Sequence, residues 1–292
     1  MTAQAGTVTP RMAALAEPVP ARRPGGLAGR VGGLRGWRRW GAAWIAGALG
    51  AAAMPPYGFL PALAVSLCVA VWLTDGAVAD RSPGRRALPA FLIGWAWGFG
   101  YLTAGLWWLG SAFLVEADEF LWALPLGVIG LPFALGLFYG AGFSAAGVLW
   151  SRGPARIAAL AFGLAGAEWL RGHILTGFPW NTLGMALGQN LWLMQAAAFV
   201  GLYGLTVLAV LLCAAPATIW DRASRPARWG SAAVAVLVLA GLAGVGADRL
   251  TAGDSMVPGV RLRLVQPDLP QDAKFRPENR DGIVEQIGRA HV

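Results

Sequence analysis

Long uncharged runs alternate along this chain with short connections that carry arginine. No Asp, Glu, Lys or Arg occurs from Trp40 to Thr74, from Ala87 to Val115, or from Phe120 to Ser151. A helix of about 20 apolar residues crosses the roughly 30 Å hydrocarbon core of a bilayer. Pro55 and Pro56 divide the first run, which predicts a helical hairpin with a tight Pro-Pro-Tyr-Gly turn and a short first arm. Each of the next two runs predicts one tilted helix. A fifth helix is expected over Ile157 to Leu175, although Glu168 and Arg171 fall within it. Gly172 to Trp220 is free of charge apart from His173, too long for one helix and too short for two with ordinary loops. Its first part is rich in Gly, Pro, Asn and Gln, so 176–190 reads as a folded interfacial loop. Leu191 to Ile219 then forms a sixth helix and Trp229 to Ala247 a seventh. The fold class is an α-helical polytopic membrane protein with about seven transmembrane helices.

Composition agrees with the pattern. Of 292 residues, 57% are hydrophobic and 13% charged, against about 25% charged in ordinary soluble domains. A disordered chain and a soluble globular protein are both excluded. The net charge of +8 is placed by topology. Seven arginines precede Trp40. More lie in the second-to-third connection (Arg81, Arg85, Arg86), the fourth-to-fifth (Arg152, Arg156) and the sixth-to-seventh (Arg222, Arg225, Arg228). Alternating helices put all of these on one side, opposite Glu116, Asp118 and Glu119. Cationic loops stay in the cytoplasm, so the N-terminus is expected there and the chain beyond about residue 248 in the periplasm, in a bacterial inner membrane. Residues 1–36 read as a disordered basic cytoplasmic tail, and 37–250 as the transmembrane domain. Nucleic acid is not an expected partner, because no aromatic-basic stripe accompanies the charge. Two cysteines, Cys68 and Cys213, exclude a disulfide scaffold; both fall inside apolar helices, where cysteine behaves as a small hydrophobe. No P-loop, dinucleotide glycine fingerprint or metal-ligand cluster is present, so no cofactor or metal is expected.

The texture changes at Gly259. Val260 to Val265 alternates apolar and basic residues, the period of a strand. Gln266-Pro267-Asp268 ends it, and a helix is expected from Asp281. Residues 259–286 thus begin a second domain that cannot close a core by itself. Gln286 to Val292 can be encoded by a string containing the start of a common short-read sequencing adapter, so 287–292 is expected to be a read-through artefact.

Glu168-Trp169-Leu170-Arg171-Gly172-His173 followed by Thr176-Gly177-Phe178-Pro179-Trp180-Asn181 resembles the EWLRG…TGFPW signature of bacterial apolipoprotein N-acyltransferases. Gly98-Phe99-Gly100-Tyr101 with Gly105-Leu106-Trp107-Trp108 is similar to that family's third-helix pattern, and Pro55-Pro56-Tyr57-Gly58 to its first turn. Leu264 to Gln271, then Lys274-Phe275, resembles the opening of its α/β nitrilase-like domain. The resemblance implies that 259–286 is the truncated start of such a domain. It also implies a reaction: an acyl chain moves from a membrane phospholipid to a cysteine thioester, then to the α-amino group of a diacylglyceryl-modified apolipoprotein. The family's catalytic Glu, Lys and Cys would lie beyond Gln286, as would its final helix, so this chain is expected to be inactive alone.

The same resemblance marks substrate-contacting candidates. Glu168 and Arg171 lie three apart on one helix face. They read either as an internal salt bridge or as a lipid-headgroup contact by Arg171 oriented by Glu168. Phe178, Pro179 and Trp180 read as a rigid interfacial turn, either an anchor or a floor beneath the active site. Pro270, Gln271 and Phe275 belong to the tail loop; Phe275 stands where the family usually has tryptophan, so the aromatic body is kept and the indole donor lost. Trp95, Trp97, Trp107 and Trp108 read as an interfacial belt, and Gly94, Gly98 and Gly105 as packing contacts. Two other readings stay open: a polytopic transporter or channel, and a non-catalytic lipid-binding membrane module. Acyl-chain preference and oligomeric state are not legible.

Overall fold

The computed structural model describes residues 26–251, 258–262, 264 and 276–288. Its helices are α1 (Gly26–Gly32), α2 (Trp37–Gly50), α3 (Leu60–Val78), α4 (Ala87–Gly105), α5 (Ala117–Phe120), α6 (Leu131–Val148), α7 (Ala155–His173), α8 (Leu191–Met194), α9 (Ala197–Ala214), α10 (Arg225–Thr251) and α11 (Arg280–Gly288). No strand occurs among the described residues. Val260, Arg261, Leu262 and Leu264 of the expected strand form no strand among the described residues, while Arg263 and Val265 lie outside the described set. A strand needs a ladder partner for its backbone groups.

Among the described residues, five stretches are long and apolar enough to cross a membrane: Leu60–Val78, Pro83–Gly105, Ala117–Val148, Ala197–Trp220 and Arg225–Thr251. α2 and α7 are helices where the sequence predicts them. The first is 14 residues long, and the second carries Arg156, Glu168 and Arg171. Within the expected tail, 26–32 form α1, which packs on α3 and buries Ala28; residues 1–25 lie outside the described set.

Helix ends depart from the uncharged runs wherever backbone chemistry intervenes. The expected third helix stays α-helical only to Gly105 and continues as 3-10 turns over Trp107–Leu114. The fourth enters through Ala117–Phe120 and a π-helical turn at Leu126–Gly130 before α6, with Pro125 and Pro132 interrupting the ladder. The sixth is not one helix. Asn190 caps α8 by accepting from the backbone N–H of Trp192 and Leu193. The backbone then leaves helical angles at Gly201 (φ 66°), and Pro216 lies in the closing 3-10 turn Ala215–Trp220.

α4 is the hub, lying between α6 and α2, with α7 on α6 and α9 on α7 and α3. An aromatic cluster fills its centre. Trp97 stacks on Tyr101 (5.3 Å, 8°) and meets the edge of Tyr139 (5.5 Å) and the tilted ring of Phe143 (6.0 Å). Its indole N–H donates to Ser66 Oγ (2.9 Å). Trp97 is therefore a buried core residue and not part of an interfacial belt, whereas Trp107 and Trp108 are exposed. Gly94 and Gly98 face Phe143 and Tyr139, as packing positions. Cys68 and Cys213 are buried in α3 and α9.

At the α2–α4 crossing, Gly47 lies against the backbone carbonyl of Trp97, where a methyl would collide with main chain that cannot yield. Gly41, on the same helix, has nothing within 4 Å of that direction. Gly47→Ala should therefore destabilise by about 1–3 kcal/mol, an overpacking cost. Gly41→Ala should stay within about 0.5 kcal/mol of the parent. Unfolding of the purified chain in detergent, compared for the two variants, checks this.

Candidate functional site

The last turn of α7 and the loop after it form one hydrogen-bonded unit. Glu168 is 1% exposed. A carboxylate that deep needs several donors, and three separate elements supply them. Oε1 accepts from the Tyr139 hydroxyl of α6 (2.9 Å) and from the backbone N–H of Leu183 in the loop (2.9 Å). Oε2 accepts from the Thr206 hydroxyl of α9 (2.7 Å). Thr206 Oγ1 in turn accepts from the N–H of Gly184 (3.1 Å). The carboxylate thus ties α6, α7, α9 and the 176–190 loop together.

Arg171, also 1% exposed, projects from the next turn. Its Nη1 donates to the carbonyl of Trp180 (2.8 Å). Its guanidinium carbon lies 5.7 Å from the Tyr139 ring centre and 6.0 Å from that of Phe178, within cation–π range. Nε and Nη2 are buried without a hydrogen-bond partner among the described residues. Glu168 and Arg171 share no direct hydrogen bond: the carboxylate bonds to the loop and the neighbouring helices, and Arg171 bonds to the loop through Nη1. Both side chains are covered.

The loop itself is tightly wound. Phe178 N–H donates to the Arg171 carbonyl (2.8 Å). Gly177 has φ 74°, and a Cβ added there would lie 2.6 Å from the Gly172 carbonyl oxygen, so only glycine fits there. Asn181 has φ 53°; its side-chain amide donates to the Gly105 carbonyl (3.1 Å), and its own carbonyl accepts from the Tyr101 hydroxyl (3.1 Å). These bonds lash the loop to the end of α4. What remains outward is aromatic. Trp180 is 47% exposed and lies against Trp108 (5.0 Å) and Phe178 (5.4 Å). Pro179 is exposed beside it. His173 is exposed, stacked on Trp169 (4.6 Å).

The structure thus brings together Glu168, Arg171, Phe178, Pro179 and Trp180. Pro270, Gln271 and Phe275 lie outside the described residues. Sequence reasoning missed Tyr139 and Thr206, and placed Tyr101 and Asn181 in motifs without giving their side chains a role. The available signal was scarcity: the chain has four tyrosines, and three of them, Tyr101, Tyr139 and Tyr203, stand inside apolar helices where a buried hydroxyl must find a partner.

Removing the carboxylate should unbuckle this unit. Glu168→Ala leaves three buried donors unpaired and should cost about 3–5 kcal/mol. Thr206→Val should cost about 1–3 kcal/mol. Thermal unfolding in detergent measures both, with limited proteolysis within 176–190 rising in step.

Residues 46–215 match the apolipoprotein N-acyltransferase N-terminal domain. The chain is 49% identical over 261 residues to the apolipoprotein N-acyltransferase of Allorhizobium ampelinum, covering 89% of this chain and 49% of that protein. It is 46% identical to the proteins of the same name from Rhodopseudomonas palustris (82% of this chain, 45% of the relative) and Brucella suis biovar 1 (89% and 49%). The chain spans about half the length of the curated relatives it matches. With its signature loop folded around Glu168 and more than half of its residues within the domain match, this chain belongs to the apolipoprotein N-acyltransferase family.

Proposed function

We propose that this chain is the membrane half of an enzyme that moves an acyl chain from a membrane phospholipid to the N-terminal amine of a diacylglyceryl-modified apolipoprotein. The observation that carries the reading is the aromatic platform of Phe178, Trp180 and Trp108, held rigid from beneath by Glu168 and Arg171. An exposed aromatic surface at the end of a helix bundle suits lipid at headgroup level. In this reading Glu168 and Arg171 position the platform, and Trp180 and Phe178 meet the acyl chains. Pro270, Gln271 and Phe275 extend the substrate contacts from the nitrilase-like side.

The chemistry runs in two steps. A thiolate attacks the phospholipid ester, releasing a lysophospholipid and leaving a thioester. The apolipoprotein amine, its proton taken by a carboxylate, attacks that thioester and regenerates the thiol. A lysine cation stabilises each oxyanion. Cys68 and Cys213 are buried in helices and do not serve as the nucleophile. The Glu, Lys and Cys belong to the nitrilase-like domain that begins at 259–286. All seven spans cross the membrane, α2 and α7 among them, with the arginine-bearing end in the cytoplasm and residues beyond about 248 in the periplasm.

Two measurements test this. Conversion of diacylated to triacylated lipoprotein, read by mass spectrometry with the full-length parent, should fall about 10- to 100-fold in Trp180→Ala. It should be unchanged in Cys68→Ala and Cys213→Ala. Full activity of Trp180→Ala, or loss on changing either cysteine, would overturn the assignment. For orientation, Asp118→Cys in a cysteine-free background should react with an impermeant maleimide from outside the cell, and Arg152→Cys should not.

A further inference from the structure

The opposite end of the bundle contains a second, independent feature. Arg156 stands near the start of α7 and Arg171 near its end, about 22 Å apart at 1.5 Å per residue. Around Arg156 lies a cavity of about 990 Å³. Its lining includes Arg39 from the first turn of α2, and Arg35, Arg81, Arg86, Arg152 and Arg222 from four different connections between helices. Arg156 itself is buried and committed: Nε lies 3.3 Å from Asp75 Oδ1, and Nη2 donates to Asp221 Oδ1 (2.8 Å). Trp150 donates to the same Asp75 oxygen (2.8 Å). A single guanidinium offsets only one of those two carboxylates; with Asp80 the lining holds three aspartates against seven arginines, so the cavity is net positive.

Topology alone asks for positive charge on one side of the membrane, but not for its convergence on one concavity. Here several guanidiniums are also aimed. Arg39 donates through Nε to the Leu34 carbonyl (2.7 Å) and through Nη2 to that of Gly76 (3.4 Å). Arg81 donates through Nε to Ala77 (3.0 Å), leaving both Nη groups for another acceptor. Arg86 is fixed by the carbonyls of Arg81 and Trp150 (2.8 Å each). Like charges held side by side by backbone anchors are suited to a multiply bonded anion.

Beside this cavity is a smaller groove of about 490 Å³ that shares Arg39 and Arg81 with it. The groove runs between α2 and α4, and its remaining walls include Trp40, Leu88, Pro89 and Leu92. Trp40 and Leu88 are exposed. A cationic cavity thus opens onto an apolar channel at the end of membrane helices. Free phosphate would use only the first; a molecule with a phosphate and acyl chains would use both.

We propose that Arg39 and Arg81 bind the phosphate of an anionic phospholipid whose acyl chain lies along the α2–α4 groove. This site is separate from the platform around Trp180 and does not depend on the acyl-transfer reading. Cationic pockets between helices at a membrane surface take such headgroups by charge-assisted hydrogen bonds.

The test is binding to the purified 292-residue chain in nonionic detergent, followed by native mass spectrometry. The probes are dioctanoyl phosphatidylglycerol, dioctanoyl phosphatidylcholine and inorganic phosphate. Phosphatidylglycerol should bind at least about tenfold more tightly than phosphatidylcholine, and millimolar phosphate should not displace it. The Arg39→Gln, Arg81→Gln double variant should lose about tenfold in phosphatidylglycerol affinity. Arg225→Gln, which removes a charge outside the cavity, should change it by less than about twofold. Equal binding of the two lipids, an equal loss in Arg225→Gln, or displacement by phosphate alone would each overturn the proposal, the last in favour of a soluble phosphate site. If the double variant does not fold, the headgroup comparison on the unaltered chain decides.

Discussion

A carboxylate buried in an apolar helix bundle must be satisfied by protein donors, because no water is at hand and an unpaired charge there is prohibitively costly. Glu168 sets that condition for the whole second half of this fold. Its two oxygens draw one hydroxyl from α6, one from α9 and one backbone N–H from the intervening loop. Each donor has to be delivered at hydrogen-bond distance, so the crossing of α6, α7 and α9 and the path of 176–190 are fixed together. Arg171 extends the same constraint by one turn, gripping the Trp180 carbonyl and lying over Tyr139 and Phe178. The outward aromatics are rigid because the polar groups beneath them have no alternative partners.

Close helix packing makes those distances reachable. α4 lies near enough to α2 that main chain meets main chain at Gly47, and near enough to α6 that rings fill the places where side chains would stand at Gly94 and Gly98. In lipid, helices gain little from hiding apolar surface, and close van der Waals contact between small residues takes over that role. The Trp97–Tyr101–Tyr139–Phe143 cluster completes the contact. Its tyrosine hydroxyls run outward to Asn181 and Glu168, so the core and the loop are mechanically continuous.

The two ends of the bundle solve the problem of buried charge differently. At one end the carboxylate is central and neutral donors surround it. At the other, a buried arginine is central and two aspartates flank it. The first arrangement closes on itself and presents aromatic surface. The second leaves a ring of further arginines around an open cavity. The fold keeps its two ends chemically distinct with buried ionisable residues near each end of the same helix, Arg156 at one and Glu168 with Arg171 at the other.

The sequence by itself determined where most helices lie, because an uncharged run of bilayer length has few other solutions. It also determined the segregation of arginine from acidic connections and, through EWLRG and TGFPW, the family. The short first arm of the hairpin, the folded loop at 176–190 and the buried cysteines were legible for the same local reasons. Tertiary structure decided what pattern cannot carry. The sixth helix breaks at Gly201 and Pro216 although its composition is apolar throughout. Trp97 is core while Trp107 is exposed, a difference that hydropathy does not encode because both are tryptophan in an apolar run. The pairing of Glu168 with Tyr139 and Thr206, 29 and 38 positions away, rather than with Arg171, three away, depends on how three helices cross. Spacing along one helix says which side chains share a face; only the neighbouring helices decide which of them find partners there.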